Sequence, residues 1–403
     1  MCILIRAYSV IPGINDGSKT SVPLSGRNPS SEEKRPFVFL KTHKTGSSTV
    51  TALILRKCMK DKLNCFIPTM ERPGRTFDLR KDYSEITHGR GLYGGKFPYD
   101  VWCHHVRFDN RLMSVIENSP QGRMFISIVR RPSKRFQSAW HWYNHGAAES
   151  PHDHSGKLNM TIQEFAHKLE TMEGITSLED IRSQFKYRTG LDATSVELTG
   201  ATLKAADFET RFQQIIQNIE SLNYMVLVAD RMEESLIAMA IEMKWPLSDI
   251  LYYSLKVRDK SSEIAMKAEL TRNELNLFDR LQPRDNALYA TANEALDKRI
   301  EAYGRNKFMS VAGVFKSCIA QIENKCRSVK SNSTSLAVRS HKGKLNEQNT
   351  WAGLCTHFQR DNKDLVKLAW KYDLVPPMDE IFPPAIMSGI ATICKLPRLI
   401  IDG

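Results

Sequence analysis

The stretch FVFLKTHKTGSST, Phe37 to Thr49, decides how the rest of the chain is read. Its first four residues form an apolar run of the kind that makes a buried strand. Lys41 to Gly46 then supplies two lysines, a histidine and a glycine, with small hydroxyl residues around them. From Ser47 to Lys57, SSTVTALILRK sets Val50, Leu53 and Ile54 at helical spacing, with Ser47 or Ser48 as the N-cap. Strand, small-residue loop and helix is the layout that turns backbone N–H groups and the positive end of a helix toward a phosphate. Lys41 and Lys44 add point charges, and Gly46 lets the backbone approach closely. Taken alone, the same stretch is an ordinary strand-to-helix turn with solvated lysines.

The common nucleotide loops do not fit. A Walker A loop places its lysine after the second glycine, whereas here the lysine precedes the only glycine. The three spaced glycines of a dinucleotide fingerprint are absent. The order THKTGSST is similar instead to the 5′-phosphosulfate loop of sulfotransferases, which use 3′-phosphoadenylyl sulfate (PAPS). Within that group, KTHKTGSST most resembles the galactose-3-O-sulfotransferase family, which usually has alanine in place of Gly46. The resemblance implies that Lys41, Thr42, Lys44, Thr45, Gly46, Ser47, Ser48 and Thr49 cradle the 5′-phosphosulfate. It implies an α/β fold of sulfotransferase type: a P-loop-like parallel sheet flanked by helices, with a largely helical C-terminal half.

A second segment, RMFISIVRRPSKRFQSAWHWY (Arg123 to Tyr143), is consistent with this. Met124 to Val129 is an apolar, β-branched run expected to be a buried strand. Pro132 suits the first turn of the helix that follows. Strand, arginine, then serine eight residues later resembles the 3′-phosphate motif of sulfotransferases, which assigns Arg130 and Ser138 to that phosphate. The family usually has Arg-Asp-Pro, so Arg131 departs from the pattern and removes a carboxylate that would cap or pair. Without the first loop upstream, Arg130 to Arg135 would read as a solvated basic helix start.

The third segment, VWCHHVRFDN (Val101 to Asn110), starts as a strand and ends in two histidines. Adjacent strand residues face opposite sides, so one histidine at most reaches a given pocket. A lone histidine is more often satisfied or solvated than catalytic. The resemblance maps the family pattern onto Cys103, His105, Arg107 and Phe108 and makes His105 the inherited candidate. No spaced partner pair accompanies Cys103-His104-His105, so a metal site is not expected. Sulfuryl transfer needs a base for the acceptor hydroxyl, fixed positive charge for the moving group, and stabilisation of the leaving bisphosphate. His105 suits the first as a neutral imidazole. The resemblance implies that His43 contacts the sulfuryl oxygens or assists the base, and Lys44 with the loop amides is expected to stabilise the leaving group.

Composition is that of an ordinary globular protein: 403 residues, 41% hydrophobic and 25% charged. A formal net charge of +12 favours acidic partners without choosing among them. The basic residues are scattered, with no aromatic-interleaved stripe, so nucleic acid is not an expected partner. Of eight cysteines, Cys58 with Cys65 and Cys318 with Cys326 are close enough in sequence to be candidate disulfides. Sequons at Asn159-Met160-Thr161 and Asn332-Ser333-Thr334 point weakly to a secretory lumen. No stretch reaches the roughly twenty apolar residues that span a bilayer. The resemblance nonetheless implies the lumenal side of the Golgi membrane, through an N-terminal anchor that is not legible here. It implies an acceptor ending in galactose, on a glycolipid or a glycan, sulfated at the 3-hydroxyl.

Along the chain, residues 1–34 read as a linker or stem, 35–310 as the sulfotransferase domain and 311–403 as an extension. A Ser-, Asn- and Lys-rich loop near 327–343 is expected to be mobile. Glu71 to Lys96 reads as loop. Helical patterns cover Thr161 to Met172, Leu178 to Lys186, Asp207 to Leu222, Arg231 to Met243, two helices divided near Pro283, and Trp351 to Asp373. Tyr224 to Ala229 is a further strand. Two other function classes fit parts of this pattern: a P-loop nucleotide phosphotransferase, and a non-catalytic basic module that binds anions.

Overall fold

The computed structural model describes residues 35–68, 76–108, 112, 115–116, 123–143, 161–171, 192–253, 270–328 and 355. The expected linker at 13–34, the helix at 178–186, nearly all of the helix at 351–373 and both sequon asparagines lie outside these residues; of the loop expected at 327–343, Arg327 and Ser328 are helical and the rest lies outside.

Four parallel strands form the central sheet, in the order β4-β1-β5-β6. These are β1 (Phe37–Leu40), β4 (Val101–Trp102), β5 (Met124–Val129) and β6 (Tyr224–Val228). Phe37 pairs with Val101 on one side and Met124 on the other, and Phe125 pairs with Tyr224. Every residue of β1 and β5 is buried, which explains their near-continuous apolar runs: a parallel sheet covered on both faces leaves no polar alternation, and the one hydroxyl, that of Ser127, donates to the Leu40 carbonyl at 3.0 Å. A small antiparallel pair, β2 (Phe66–Ile67) with β3 (Arg90–Gly91), lies outside the sheet. Between them, the stretch expected to be loop contains helix α2 (Leu79–Thr87). Its apolar anchors Leu79 and Ile86 are seven residues apart, too sparse a pattern to stand out beside the surrounding Gly and Arg residues.

Helix α1 runs from Ser47 to Asp61, one turn beyond the expected end, and stops at Lys62 in the left-handed region (φ 54°). The helices α3 (Pro132–Tyr143), α4 (Ile162–Thr171), α5 (Ala193–Thr199), α6 (Phe208–Glu220) and α7 (Met232–Glu242) follow. Pro283 opens α9 (Pro283–Ala302) and so ends α8 (Arg272–Arg280), as expected from its fixed φ and missing N–H. Thr271 and Glu274 form a capping box at the start of α8.

The main core surrounds the sheet, and a second cluster joins α3, α4 and α8. In the second, Phe136 lies 4.5 Å from Phe278 and Trp140 4.9 Å from Phe165, ring centre to ring centre. Helix α10 (Arg305–Ser328) crosses residue 310 without a break. Its Phe308, Phe315 and Ile322 belong to the main core, so the helix is integral to the fold on both sides of that position. The expected cysteine pairs do not form. Cys58 and Cys65 are free thiols in the core, and Cys326 bonds Cys355 instead of Cys318. Among the described helices, none is long and apolar enough to cross a membrane.

Candidate active site

In an open parallel sheet, ligands bind beyond the carboxyl ends of the strands, where the chain order reverses. Here β1 is followed to one side by β4 and flanked on the other by β5 and β6, so the reversal falls between β1 and β5. The loop after β1 and Arg130 after β5 meet at that point.

The loop is built by its own hydroxyls. Thr42 Oγ1 donates to the Ile128 carbonyl at 2.6 Å and lies 2.8 Å from Thr45 Oγ1. Ser47 Oγ donates to the Thr42 carbonyl at 2.5 Å. Thr42, Thr45 and Ser47 are buried, so their side chains hold the loop's shape and tie it to β5. The half-buried His43, Lys44, Ser48 and Thr49, together with exposed Gly46, form its outer surface. Neither expected serine caps α1. The N-cap is Gly46, with no side-chain bond, because Ser47 already donates backward to Thr42. Lys44 (φ 64°) and Gly46 (φ 82°) both occupy the left-handed region and curl the loop. Helix α1 thus begins next to them; the Thr49 N–H is tied to the Gly46 carbonyl at 3.0 Å, and the positive end of the helix lies at the loop. A Cβ on Gly46 would sit 3.0 Å from the Met232 methyl at the start of α7.

Strand β4 ends at Trp102, yet the two histidines after it still separate as alternation requires. His104 is a core residue, and its Nε2 lies 3.0 Å from the Phe66 carbonyl, to which it donates. His105 turns to the loop, where its Nδ1 lies 2.8 Å from the Lys41 carbonyl. A carbonyl can only accept, so Nδ1 carries the proton and Nε2 carries the lone pair. The ring stacks on His43 with centres 3.8 Å apart and planes inclined by 14°. Burial, then the neighbouring His43 and Lys41, hold the His105 proton affinity far below the usual imidazole range. His105 is therefore neutral at physiological pH.

Arg130 leaves β5 half-buried, with its guanidinium 3.4 Å from the Lys44 carbonyl. Burial lowers its pKa, an effect opposed by Asp230, and an arginine so placed remains charged. Ser138 lies half-buried on α3, two turns beyond Arg130. The structure thus gathers Lys41 to Thr49, His105 and Arg130 at one end of the sheet.

Arg131, the departure from the family pattern, is held by carboxylates from elsewhere in the chain. Asp279 of α8 accepts from Arg131 Nε at 2.8 Å and from the Ser133 N–H at 2.8 Å, so it also caps α3. Asp230, after β6, accepts from the Arg131 N–H at 2.8 Å. Glu197 of α5 accepts from the His43 N–H at 2.9 Å and also pairs with the His43 ring. Sequence reading missed all three carboxylates, since nothing in their local spacing links them to positions about 100–150 residues away. Among the described residues no group of three or more His, Cys, Asp or Glu side chains is arranged to hold a metal ion.

A parallel α/β sheet with a basic, histidine-bearing loop at its carboxyl end defines the class, an α/β protein whose loop carries the charge and hydrogen-bond donors that suit an anionic group. The chain belongs to the galactose-3-O-sulfotransferase family, whose model matches residues 1–339. It is 25% identical over 295 residues to galactosylceramide sulfotransferase of Mus musculus, covering 71% of this chain and 63% of that protein. The galactosylceramide sulfotransferase of Homo sapiens is 23% identical over 286 residues, covering 68% of this chain and 60% of that protein. Galactose-3-O-sulfotransferase 4 of Homo sapiens is 23% identical over 361 residues, covering 76% and 73%. The chain thus spans about three fifths of the length of the galactosylceramide sulfotransferases it matches.

Proposed function

We propose that this protein transfers a sulfuryl group from PAPS to the 3-hydroxyl of a galactose residue, on a glycolipid such as galactosylceramide or on a glycan. The observation that carries the reading is the His105 imidazole, fixed as the Nδ1–H tautomer against the Lys41 carbonyl beside the basic loop. In this reading His105 Nε2 takes the proton of the galactose hydroxyl as its oxygen attacks sulfur. The bond between sulfur and the donor's bridging oxygen breaks, and the electron pair leaves with the 3′,5′-bisphosphate. Lys44 and the first-turn amides of α1 offset the charge that collects there. Arg130 grips the 3′-phosphate, with Ser138 as a second donor from α3.

A base held neutral by burial and nearby cations is unprotonated when the hydroxyl arrives. The polyanionic donor then raises its proton affinity by offsetting those same cations. The Cys326–Cys355 disulfide supports an oxidising compartment, in keeping with the lumenal side of the Golgi membrane.

Labelled PAPS offered with a panel of β-galactosides tests the transfer, and label in a 3-O-sulfated product is the expected result. Calorimetry tests the donor: the 3′,5′-bisphosphate should bind much more tightly than ATP. Arg130→Ala should weaken the bisphosphate while adenosine 5′-phosphosulfate changes little, since a lost charged hydrogen bond costs about 2–5 kcal/mol. Equal affinity for ATP and the bisphosphate, with phosphoryl transfer in place of sulfuryl transfer, would overturn the proposal in favour of a phosphotransferase.

A further inference from the structure

The two histidines come from segments about sixty residues apart, and neither segment alone fixes their stacking. The loop reaches the His105 segment through the Lys41 carbonyl. A second connection runs through α5, and it centres on Glu197.

The Glu197 side chain engages the loop twice. One carboxylate oxygen accepts the His43 backbone N–H at 2.9 Å, and the other pairs with His43 Nδ1. An ionised carboxylate only accepts, so His43 Nδ1 carries a proton, as His105 Nδ1 does. The Glu197 main chain engages the other segment. Its carbonyl accepts the Phe108 N–H at 3.3 Å, three residues after His105. Close by, Gly200 ends α5 against the same residue so tightly that a Cβ there would lie 1.8 Å from the Phe108 carbonyl oxygen. One residue therefore joins both histidine-bearing segments, and a glycine sets the distance.

Helix α5 is itself firmly anchored. Asp285, at the start of α9, accepts the Ser195 N–H at 2.7 Å and the Thr194 N–H at 3.2 Å. The Asp285 N–H donates to Asp192 at 3.0 Å. Seven residues long, α5 gains from these contacts a rigidity that a helix of its length lacks alone. Glu197 is half-buried, with 19% of its side chain exposed, so its bonds to His43 are partly shielded from water.

We propose that Glu197 is the positioning residue of the histidine pair. It fixes the His43 tautomer and the path of the loop at His43, and so holds the His43 ring flat against the His105 base. Glu197 touches neither donor nor acceptor in this role and acts through His43. The kinetic half of the test rests on the sulfuryl-transfer reading, and the spectroscopic half does not.

The experiment uses the full chain labelled with 15N at histidine. Long-range proton–nitrogen spectra report which ring nitrogen of His43 is protonated in wild type, Glu197→Ala and Glu197→Gln. We expect a single Nδ1–H tautomer in wild type and a mixture in Glu197→Ala. Glu197→Gln, whose amide oxygen accepts only one of the two N–H bonds, should fall between them. Turnover of Glu197→Ala should drop about 10–10²-fold, the usual cost of losing a residue that orients a functional imidazole. Donor-site affinity, measured with 3′-phosphoadenosine 5′-phosphate, should stay within about 3-fold, because the phosphate grips are intact.

An unchanged His43 tautomer in Glu197→Ala overturns the proposal. So does a loss of turnover that is matched by lost thermal stability and is not partly restored in Glu197→Gln. If wild type transfers no sulfuryl group to any galactoside, the functional reading fails, and the His43 spectra still decide the role of Glu197.

Discussion

Replacing Asp279 with alanine removes three bonds at one point. The carboxylate caps α3 through the Ser133 N–H and holds Arg131 through Nε at 2.8 Å and a terminal nitrogen at 2.7 Å. The capping bond is worth about 1 kcal/mol. Both Arg131 nitrogens share the single oxygen Oδ2, and 41% of the Arg131 side chain is exposed, which holds the pair's contribution to about 0.5–1 kcal/mol after solvent screening. Asp279→Ala should therefore destabilise the fold by about 2 kcal/mol. Asp279→Asn can keep its one acceptor oxygen for the Ser133 N–H only by turning its amide NH2 toward Arg131, so it should lose the ion pair but keep the cap, costing about half as much. Urea denaturation of these variants, crossed with Arg131→Ala, gives a coupling of about 0.5–1 kcal/mol if the pair acts as drawn. Because Arg130 precedes α3 directly, the bisphosphate should also bind more weakly to Asp279→Ala than to Asp279→Asn. Stability of Asp279→Ala within about 0.3 kcal/mol of wild type, or strict additivity with Arg131→Ala, would refute the distant cap.

His105→Ala should lower turnover about 10²–10⁴-fold with donor affinity nearly intact, while His104→Ala should act on stability through its bond to Phe66; initial rates and calorimetry separate the two. Gly46→Ala should cost about 1–2 kcal/mol, since φ 82° strains any Cβ, and the flexible Met232 methyl at 3.0 Å can yield; a denaturation curve overlying wild type would contradict this. Burial, then the charge of Asp285, push the Asp192 carboxyl up from 3.8 to about 7. The folded protein then holds a proton that the unfolded chain releases, so stability falls as pH rises from about 4 to about 7. Asp192→Asn should flatten that slope in urea titrations at about pH 5 and pH 8.

What the sequence revealed followed how locally each feature is encoded. FVFL, MFISIV and YMVLV are legible because a strand buried on both faces reads as a near-continuous apolar run. The loop and Arg130 are legible because each adjoins such a strand. Ser47 misled because its hydroxyl had two uses, capping α1 or bracing Thr42, and the fold took the second. Cys318 and Cys326 are eight residues apart on one continuous helix, yet Cys326 pairs with Cys355 beyond it. Glu197 and Asp279 were invisible for a further reason. A carboxylate that orients a histidine or caps a distant helix has the same local context as one that is merely solvated. Only the packing of α5 against Phe108, and of α8 against α3, assigns them a task.

The placement of β1 in the sheet also shapes how the chain is made. During synthesis β1 emerges before any of its partners, with both of its edges destined for parallel pairing. The β5 edge becomes available only after about ninety further residues, roughly 5–20 s at ordinary rates of chain elongation. For that interval FVFL is an uncovered apolar strand attached to the helix sequence of α1, and long-range parallel pairing cannot be hurried. The nascent chain is thus exposed to aggregation in the segment that leads into the basic loop. Slow decoding between residues 50 and 124 would lengthen that exposure, and a chaperone that recognises short apolar segments would find a binding site at Phe37 to Leu40.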